Sequence, residues 1–258
     1  MVTKLYKILL FLSVSILLNT FLTSCQKNNI QIKKIKGKQI PINTSFNSDS
    51  VFTQIITPYK KKLQHKIDKI LCYNPTILTR EEKDLESSLG NLYADICFQK
   101  ADSIFHLETG NHIDFALFNY GGIRTTIPKG NITVKNIFEL MPFENKLVVT
   151  KLSGMQTQKL FNYLENRKEA HPISHLKLEI KDDVLHKILI QNKPFDPSKS
   201  YFVLTHDYLQ HGGDSMAFFK NPQNLFNTQY KVRDAIIAYL NSIDTLKTTT
   251  DNRFIKVN

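Results

Sequence analysis

The first 25 residues set the boundary of any fold this chain can adopt. Lys4 and Lys7 form a basic start, Ile8–Leu18 is apolar apart from two serines, and Leu22-Thr23-Ser24-Cys25 closes the segment. The apolar stretch is shorter than the roughly 20 residues that a spanning helix needs. A basic start, a short apolar run and a small-residue exit make a secretory signal, so residues 1–24 are expected to lie outside the fold. What remains of the 258 residues suffices for one substantial core, but not for two large enzyme domains.

Leu22–Cys25 looks like a bacterial lipobox, in which the cysteine is acylated and becomes the first residue of the mature chain. Two acyl chains make a stable anchor. The expectation is an exported lipoprotein held at the periplasmic face or cell surface through Cys25, with a polar tether over 25–49. The formal charge of +11 favours anionic partners, namely a phosphorylated ligand, an acidic membrane face or nucleic acid. The densest basic runs are Lys33-Lys34, Lys36, Lys38 and Lys60-Lys61-Lys62. No aromatics interleave with them, so nucleic acid is not an expected partner. An oxidising compartment permits a bridge between Cys72 and Cys97. Cys97, however, falls on a helix face that reads as buried, where a lone thiol behaves as a small hydrophobe.

From Val51 to Leu71 the residues Phe52, Ile55, Ile56, Tyr59, Leu63, Ile67 and Ile70 recur at helical spacing, with Pro58 marking a start or a kink. Thr79-Arg80-Glu81-Glu82 has the pattern of a capping box. A helix is expected after it, with Leu85, Leu89, Leu92, Tyr93 and Ile96 on one face. Gly90 in its middle costs about 1 kcal/mol against alanine, which points to close packing there. Ile113–Phe118 is nearly all apolar and suits a strand buried on both faces, and Asn119-Tyr120-Gly121-Gly122 turns the chain after it. A short helix over Thr133–Leu140, a strand over Lys146–Lys151 and a helix opened by Ser153-Gly-Met-Gln156 follow. His175–Ile180 and Val184–Ile190 alternate as a hairpin around Lys181-Asp182-Asp183. Tyr201–Thr205 reads as a strand, and Tyr230–Leu240 as an amphipathic helix with Val232, Ile236, Ile237 and Leu240 facing in. The order is not a strict βαβ alternation, so the expected class is α+β, a mixed β-sheet flanked by helices in one domain over 50–258.

Four segments in order then form a pattern: Glu86-Ser-Ser-Leu-Gly-Asn-Leu-Tyr-Ala-Asp95, Asn119-Tyr-Gly-Gly-Ile-Arg124, Pro142-Phe-Glu-Asn145 and Tyr208-Leu-Gln-His-Gly-Gly-Asp214. The stretch from about Ser50 to Ile243 that carries them resembles the C-terminal domain of the 5'-nucleotidase family, which includes bacterial UDP-sugar hydrolases and animal ecto-5'-nucleotidases. The resemblance implies a domain that binds the nucleoside while a separate metallophosphatase domain holds two metal ions and cleaves the phosphate. It implies that Phe143 and Tyr208, the latter where phenylalanine is usual, sandwich the base. It implies further that Asn119 and Arg124 contact the ligand, that Asn145 reads the base, and that Asp214 accepts ribose hydroxyls. Arginines on the family's preceding helix also reach the ligand. Here Lys83 stands in register and Arg80 one residue off it, and a lysine cannot repeat a bidentate arginine contact. Ser215 follows Gly-Gly-Asp where glycine is usual.

The residue types suit such a ligand in their own right. A nucleoside offers a flat π-face, a polar base edge and a vicinal diol. Aromatics stack on the first at about 1–3 kcal/mol per contact. An amide both donates to and accepts from the second, and a carboxylate accepts two hydroxyl protons from the third.

The metal-binding half has no counterpart. Gly110-Asn111-His112-Ile113-Asp114-Phe115 mimics the Gly-Asn-His-Glu motif of dinuclear phosphatases, but Asp114 stands one place late and no partner ligands flank it. His206-Asp207 and His211 lack a third ligand, and no Gly-x-Ser-x-Gly elbow surrounds Ser215. The chain is therefore expected to carry no cofactor of its own, with divalent metals in a separately encoded metallophosphatase. It would be the nucleotide- or nucleoside-recognition subunit of a split 5'-nucleotidase. The alternative is a non-catalytic lipoprotein that captures nucleosides or nucleotide sugars. Affinity separates the two: a dissociation constant of about 0.1–1 mM suits an enzyme half, and micromolar binding suits a scavenger.

Overall fold

The computed structural model describes residues 2–22, 32–43, 46–81, 83, 85–167 and 169–257. The expected lipidation site, Cys25, lies outside the described residues. The chain divides into two compact units, Met1–Ser50 and Val51–Asn258. The first contains the helix α1 (Val2–Leu22). Among the described residues no helix is long and apolar enough to cross a membrane.

The second unit runs in order α2 (Ser50–Ile67, its first residue shared with the first unit), β1 (Ile70–Asn74), α3 (Ser88–Thr109), β2 (Phe115–Leu117), β3 (Gly130–Thr133), α4 (Val134–Leu140), β4 (Lys146–Leu152), α5 (Gly154–Glu165), β5 (Ile173–Ser174), β6 (Leu176–Lys181), β7 (Val184–Ile190), β8 (Lys193–Pro194), β9 (Tyr201–His206), α6 (Asp207–Gln210), β10 (Asn224–Lys231), α7 (Val232–Leu240) and β11 (Phe254–Lys256). Its central sheet has the order β10-β4-β9-β2-β5. Strands β2 and β9 pair parallel, and the other pairs in that sheet are antiparallel. The sheet is thus mixed and helix-flanked, as expected for an α+β fold. A second sheet, β11-β6-β7-β8, is built on the expected hairpin, and β1 pairs with β3 in a third.

The central sheet is a wall between two cores, because successive side chains on a strand point to opposite faces. On β2, Ala116 joins Phe118 on the side packed by Leu92 and Tyr93 of α3 and by Ile236 of α7. Phe115 and Leu117 face the other side, with Leu160 and Phe161 of α5 and Leu178 of β6. The Phe115–Leu117 backbone is buried on both faces, which explains its unbroken apolar run. All fully buried residues of both cores lie between Leu71 and Phe254.

Two local expectations change, at Thr79 and at Tyr230. The Thr79-Arg80-Glu81-Glu82 segment does not start a helix: Thr79 Oγ1 accepts from the Glu81 amide in a tight turn. The cap falls eight residues later, where Ser87 Oγ accepts from Gly90 N at 3.0 Å. A Cβ at Gly90 would stand 2.9 Å from that hydroxyl, so the glycine protects the cap. Tyr230 lies within β10 rather than opening the last helix, since the strand runs to Lys231 and α7 begins at Val232. Pro58 neither starts nor ends α2 but sits inside it, and no residue of α2 is buried. Cys72 and Cys97 are both buried and both free. Burial alone pushes the Cys72 thiol up, and burial aided by nearby Asp95 raises that of Cys97.

The expected capping box at Ser153 is present. Its hydroxyl accepts from the Gln156 amide while Gln156 Oε1 accepts from Ser153 N. The helix over Val134–Leu140 opens on a similar box made by Thr133 and Asn136.

Candidate functional site

The parallel pairing of β2 with β9 brings their carboxyl ends side by side, and ligand crevices form where parallel strands end. Asn119 stands two residues past the end of β2, and His206 closes β9 before α6 carries Tyr208. Leu147 of the antiparallel β4 pairs with His206, which brings Asn145 to the same edge. The loop ahead of β4 supplies Phe143.

A cavity of about 360 Å³ opens there, within the range of small-molecule sites. It gathers Asn119, Arg124, Phe143, Asn145, Tyr208 and Asp214, with Gly121, Gly122 and His206 completing the lining. Phe143 and Tyr208 remain 41% and 49% exposed, in a fold that otherwise buries most of its aromatic rings. Their faces are therefore available to a flat partner. The ring of Tyr208 is held over Gly213, where a Cβ would come within 2.4 Å of it. The guanidinium of Arg124 donates to Gly121 O at 3.3 Å and sits 5.9 Å from the Phe143 ring centre.

The polar groups form one relay. Asn119 Nδ2 donates to Asp214 Oδ2, which leaves Asn119 Oδ1 as an acceptor facing His206 Nε2 at 3.2 Å. His206 therefore carries its proton on Nε2, and its bare Nδ1 accepts from Asn145 Nδ2 at 3.2 Å and from Leu209 N at 3.4 Å. Burial holds this imidazole neutral, its pKa pushed down to about 4. The relay fixes which way both amides point. Asn145 is left with its carbonyl oxygen and one N–H uncommitted, and Asp214 keeps Oδ1 as an acceptor.

The supporting loop is clamped from α7. Arg233 is buried, donates to the carbonyls of Met141 and Phe143 at 3.3 and 3.1 Å, and pairs with Glu144 between the two site residues. Hydrogen bonds from Lys231 and Arg233 hold the Glu144 carboxyl down to about 2.

The arginine-like positions fall elsewhere. Arg80 donates to Ile123 O at 2.6 Å and lies over the Tyr120 ring at 4.2 Å, bracing the Gly-Gly turn from behind. Lys83 is exposed and is not among the described residues that line the cavity. His206 is the site residue that sequence reasoning missed. Its signal was its place at the end of a buried strand, two residues ahead of Tyr208. At the next turn Asp214 and Ser215 adopt φ of 50° and 62°. Ser215 thus holds the left-handed backbone that glycine takes without strain.

The phosphatase-like segment is structural. Gly110 caps α3 at φ 73°. His112 Nδ1 lies 2.9 Å from Asp102 Oδ2, and Asp114 Oδ2 accepts from Phe202 N at 2.7 Å. His211 Nδ1 donates to Asp207 O. Among the described residues no group of three His, Cys, Asp or Glu side chains is placed to hold a metal ion.

Comparison with known proteins decides the family. The model of the 5'-nucleotidase C-terminal domain matches residues 67–221. The chain belongs to that family. UshA of Escherichia coli K12 is 29% identical over 131 residues, which cover 49% of this chain and 24% of UshA. A 5'-nucleotidase of Diplobatis ommata is 22% identical over 251 residues, covering 88% of this chain and 44% of that protein. The 5'-nucleotidase precursor of Thermus thermophilus superposes with a TM-score of 0.67 at 24% identity, over 81% of this chain and 44% of that one. This chain therefore spans less than half the length of each.

Proposed function

We propose that this family member recognises a nucleotide or nucleoside through base and ribose, as one half of a split 5'-nucleotidase. The observation that carries the reading is the relay Asp214–Asn119–His206–Asn145 set beside two exposed aromatic faces in one cavity. Phe143 and Tyr208 stack the base. The free carbonyl and N–H of Asn145 meet a donor–acceptor pair on its edge, and Asp214 accepts from the ribose diol. Arg124 attracts the phosphate. A separately encoded metallophosphatase supplies the divalent metals and the attacking water. Export and acylation at Cys25 hold this chain on the membrane, where a partner tethered alongside meets it at raised effective concentration.

The test is a calorimetric titration of residues 26–258 with AMP and with adenosine, beside Phe143→Ala. Truncation at 26 takes nothing from either core, as the buried residues begin at Leu71. Saturable binding at about 0.1–1 mM, lost in the variant, is expected. Absence of heat with both ligands refutes the site, and micromolar affinity turns the reading towards a scavenger.

A further inference from the structure

Most of the basic excess of the chain lies in one stretch. Residues 26–67 hold nine lysines against a single acid, Asp49, whereas from residue 68 onward 23 Lys and Arg meet 22 Asp and Glu. Helix α2 lies at the end of this stretch. It carries Lys60, Lys61, Lys62 and Lys66 and no acid. Ile55, Tyr59 and Leu63 succeed one another every four residues along one face, with Ile56 beside them. These side chains are 57%, 73%, 57% and 55% exposed respectively.

Such a helix needs a surface. An isolated helix of 18 residues, rich in β-branched side chains and containing Pro58, is marginal in water. Helices in water-soluble folds draw their stability from a packed apolar face, and α2 buries none of its residues.

We propose that α2 lies in the interface of an anionic phospholipid bilayer, independently of any acyl anchor. Apolar side chains of its size enter the boundary between headgroups and acyl chains, while lysines on the flanks meet lipid phosphates. Lys62 and Lys66, seven residues after Ile55 and Tyr59, share their face. Their stems lie along apolar surface while the ammonium groups reach outward to the headgroups. Charge decides against a protein partner. Lysine is depleted in the cores of protein interfaces, and here it supplies four of the helix's 18 residues.

The test uses residues 26–258, which lack Cys25, so its outcome is independent of acylation and of nucleotide binding. The protein is sedimented with vesicles of phosphatidylcholine, alone or with about one third phosphatidylglycerol. Binding to the anionic vesicles only, released by high salt, is expected. Ile55→Glu with Leu63→Glu, and separately Lys60→Glu with Lys61→Glu and Lys62→Glu, should each lower partitioning on the order of a hundredfold. Thermal unfolding should be unchanged, because α2 contributes nothing to the core. Three results overturn the proposal: no binding of the parent protein to anionic vesicles, binding that both sets of variants retain, or a dimer in solution that Ile55→Glu dissolves.

Discussion

The two ends of the cavity are built differently. At the end proposed to take base and ribose, Asn119 and His206 have both polar side-chain atoms committed to neighbours, and Asn145 and Asp214 each commit one. The two aromatics stand on constrained backbone, Tyr208 over Gly213 and Phe143 on a loop clamped by Arg233. Beyond Arg124 the other end has little: Arg80 is spent on Ile123 and Tyr120, and Lys83 stands outside. Prearranged donors and acceptors bind without the cost of ordering them. The proposed division of labour follows, in which this chain grips the nucleoside and leaves the phosphate to groups supplied elsewhere.

Acid attacks the ordered end hardest. Burial holds His206 of the relay down to about 4, and likewise His171, which lies outside the cavity lining and accepts from Tyr120 N, while unfolded histidines titrate near 6.5. As pH falls below that value the unfolded chain takes up protons first, so stability drops from about pH 6.5 until both imidazoles charge near 4. Each contributes a loss on the order of 3 kcal/mol. Urea titrations across that range should show the slope, and His206→Gln should remove about half of it. Next comes Phe143→Ala, which should weaken AMP and adenosine alike by about 10–100-fold. Gly213→Ala, by displacing the Tyr208 ring, should approach the same loss. Ser215→Gly relieves the left-handed backbone and should raise stability by about 1 kcal/mol, with affinity unchanged, as read by thermal unfolding and calorimetry. The smallest effect is expected at the sparse end, where Lys83→Ala should alter AMP affinity less than about twofold. A large loss there would erase the contrast between the two ends.

Much of this was legible in the sequence, for physical reasons. The strand within Ile113–Phe118, the short helix after Thr133 and the cap at Ser153 are local patterns that tertiary contacts reinforce. The predicted site residues Asn119, Arg124, Phe143, Asn145, Tyr208 and Asp214 do meet in one cavity. Thr79 misled because its neighbour Leu78 is held extended by pairing with Ile127, which delays the helix to Ser87. Tyr230 misled because β10 has no fully buried position, so its strand alternation is faint. The role of His206 was hidden because a relay through three side chains from separate loops leaves no spacing to read. Helices α2 and α7 show the limit most plainly. Both carry an apolar stripe, but only α7 buries it, and a stripe does not say which surface will cover it.

The neutral imidazole at the centre of the relay has a calorimetric consequence. His206 meets the amides of Asn119 and Asn145 as a donor on one nitrogen and an acceptor on the other, and it needs no change of protonation for the cavity to fill. Around neutral pH, His206 should therefore add nothing to proton exchange with the solvent when ligand binds. Heats measured in buffers of very different ionisation enthalpy should carry no contribution from it, and the proposed grip on a base should hold steady while the imidazole stays neutral.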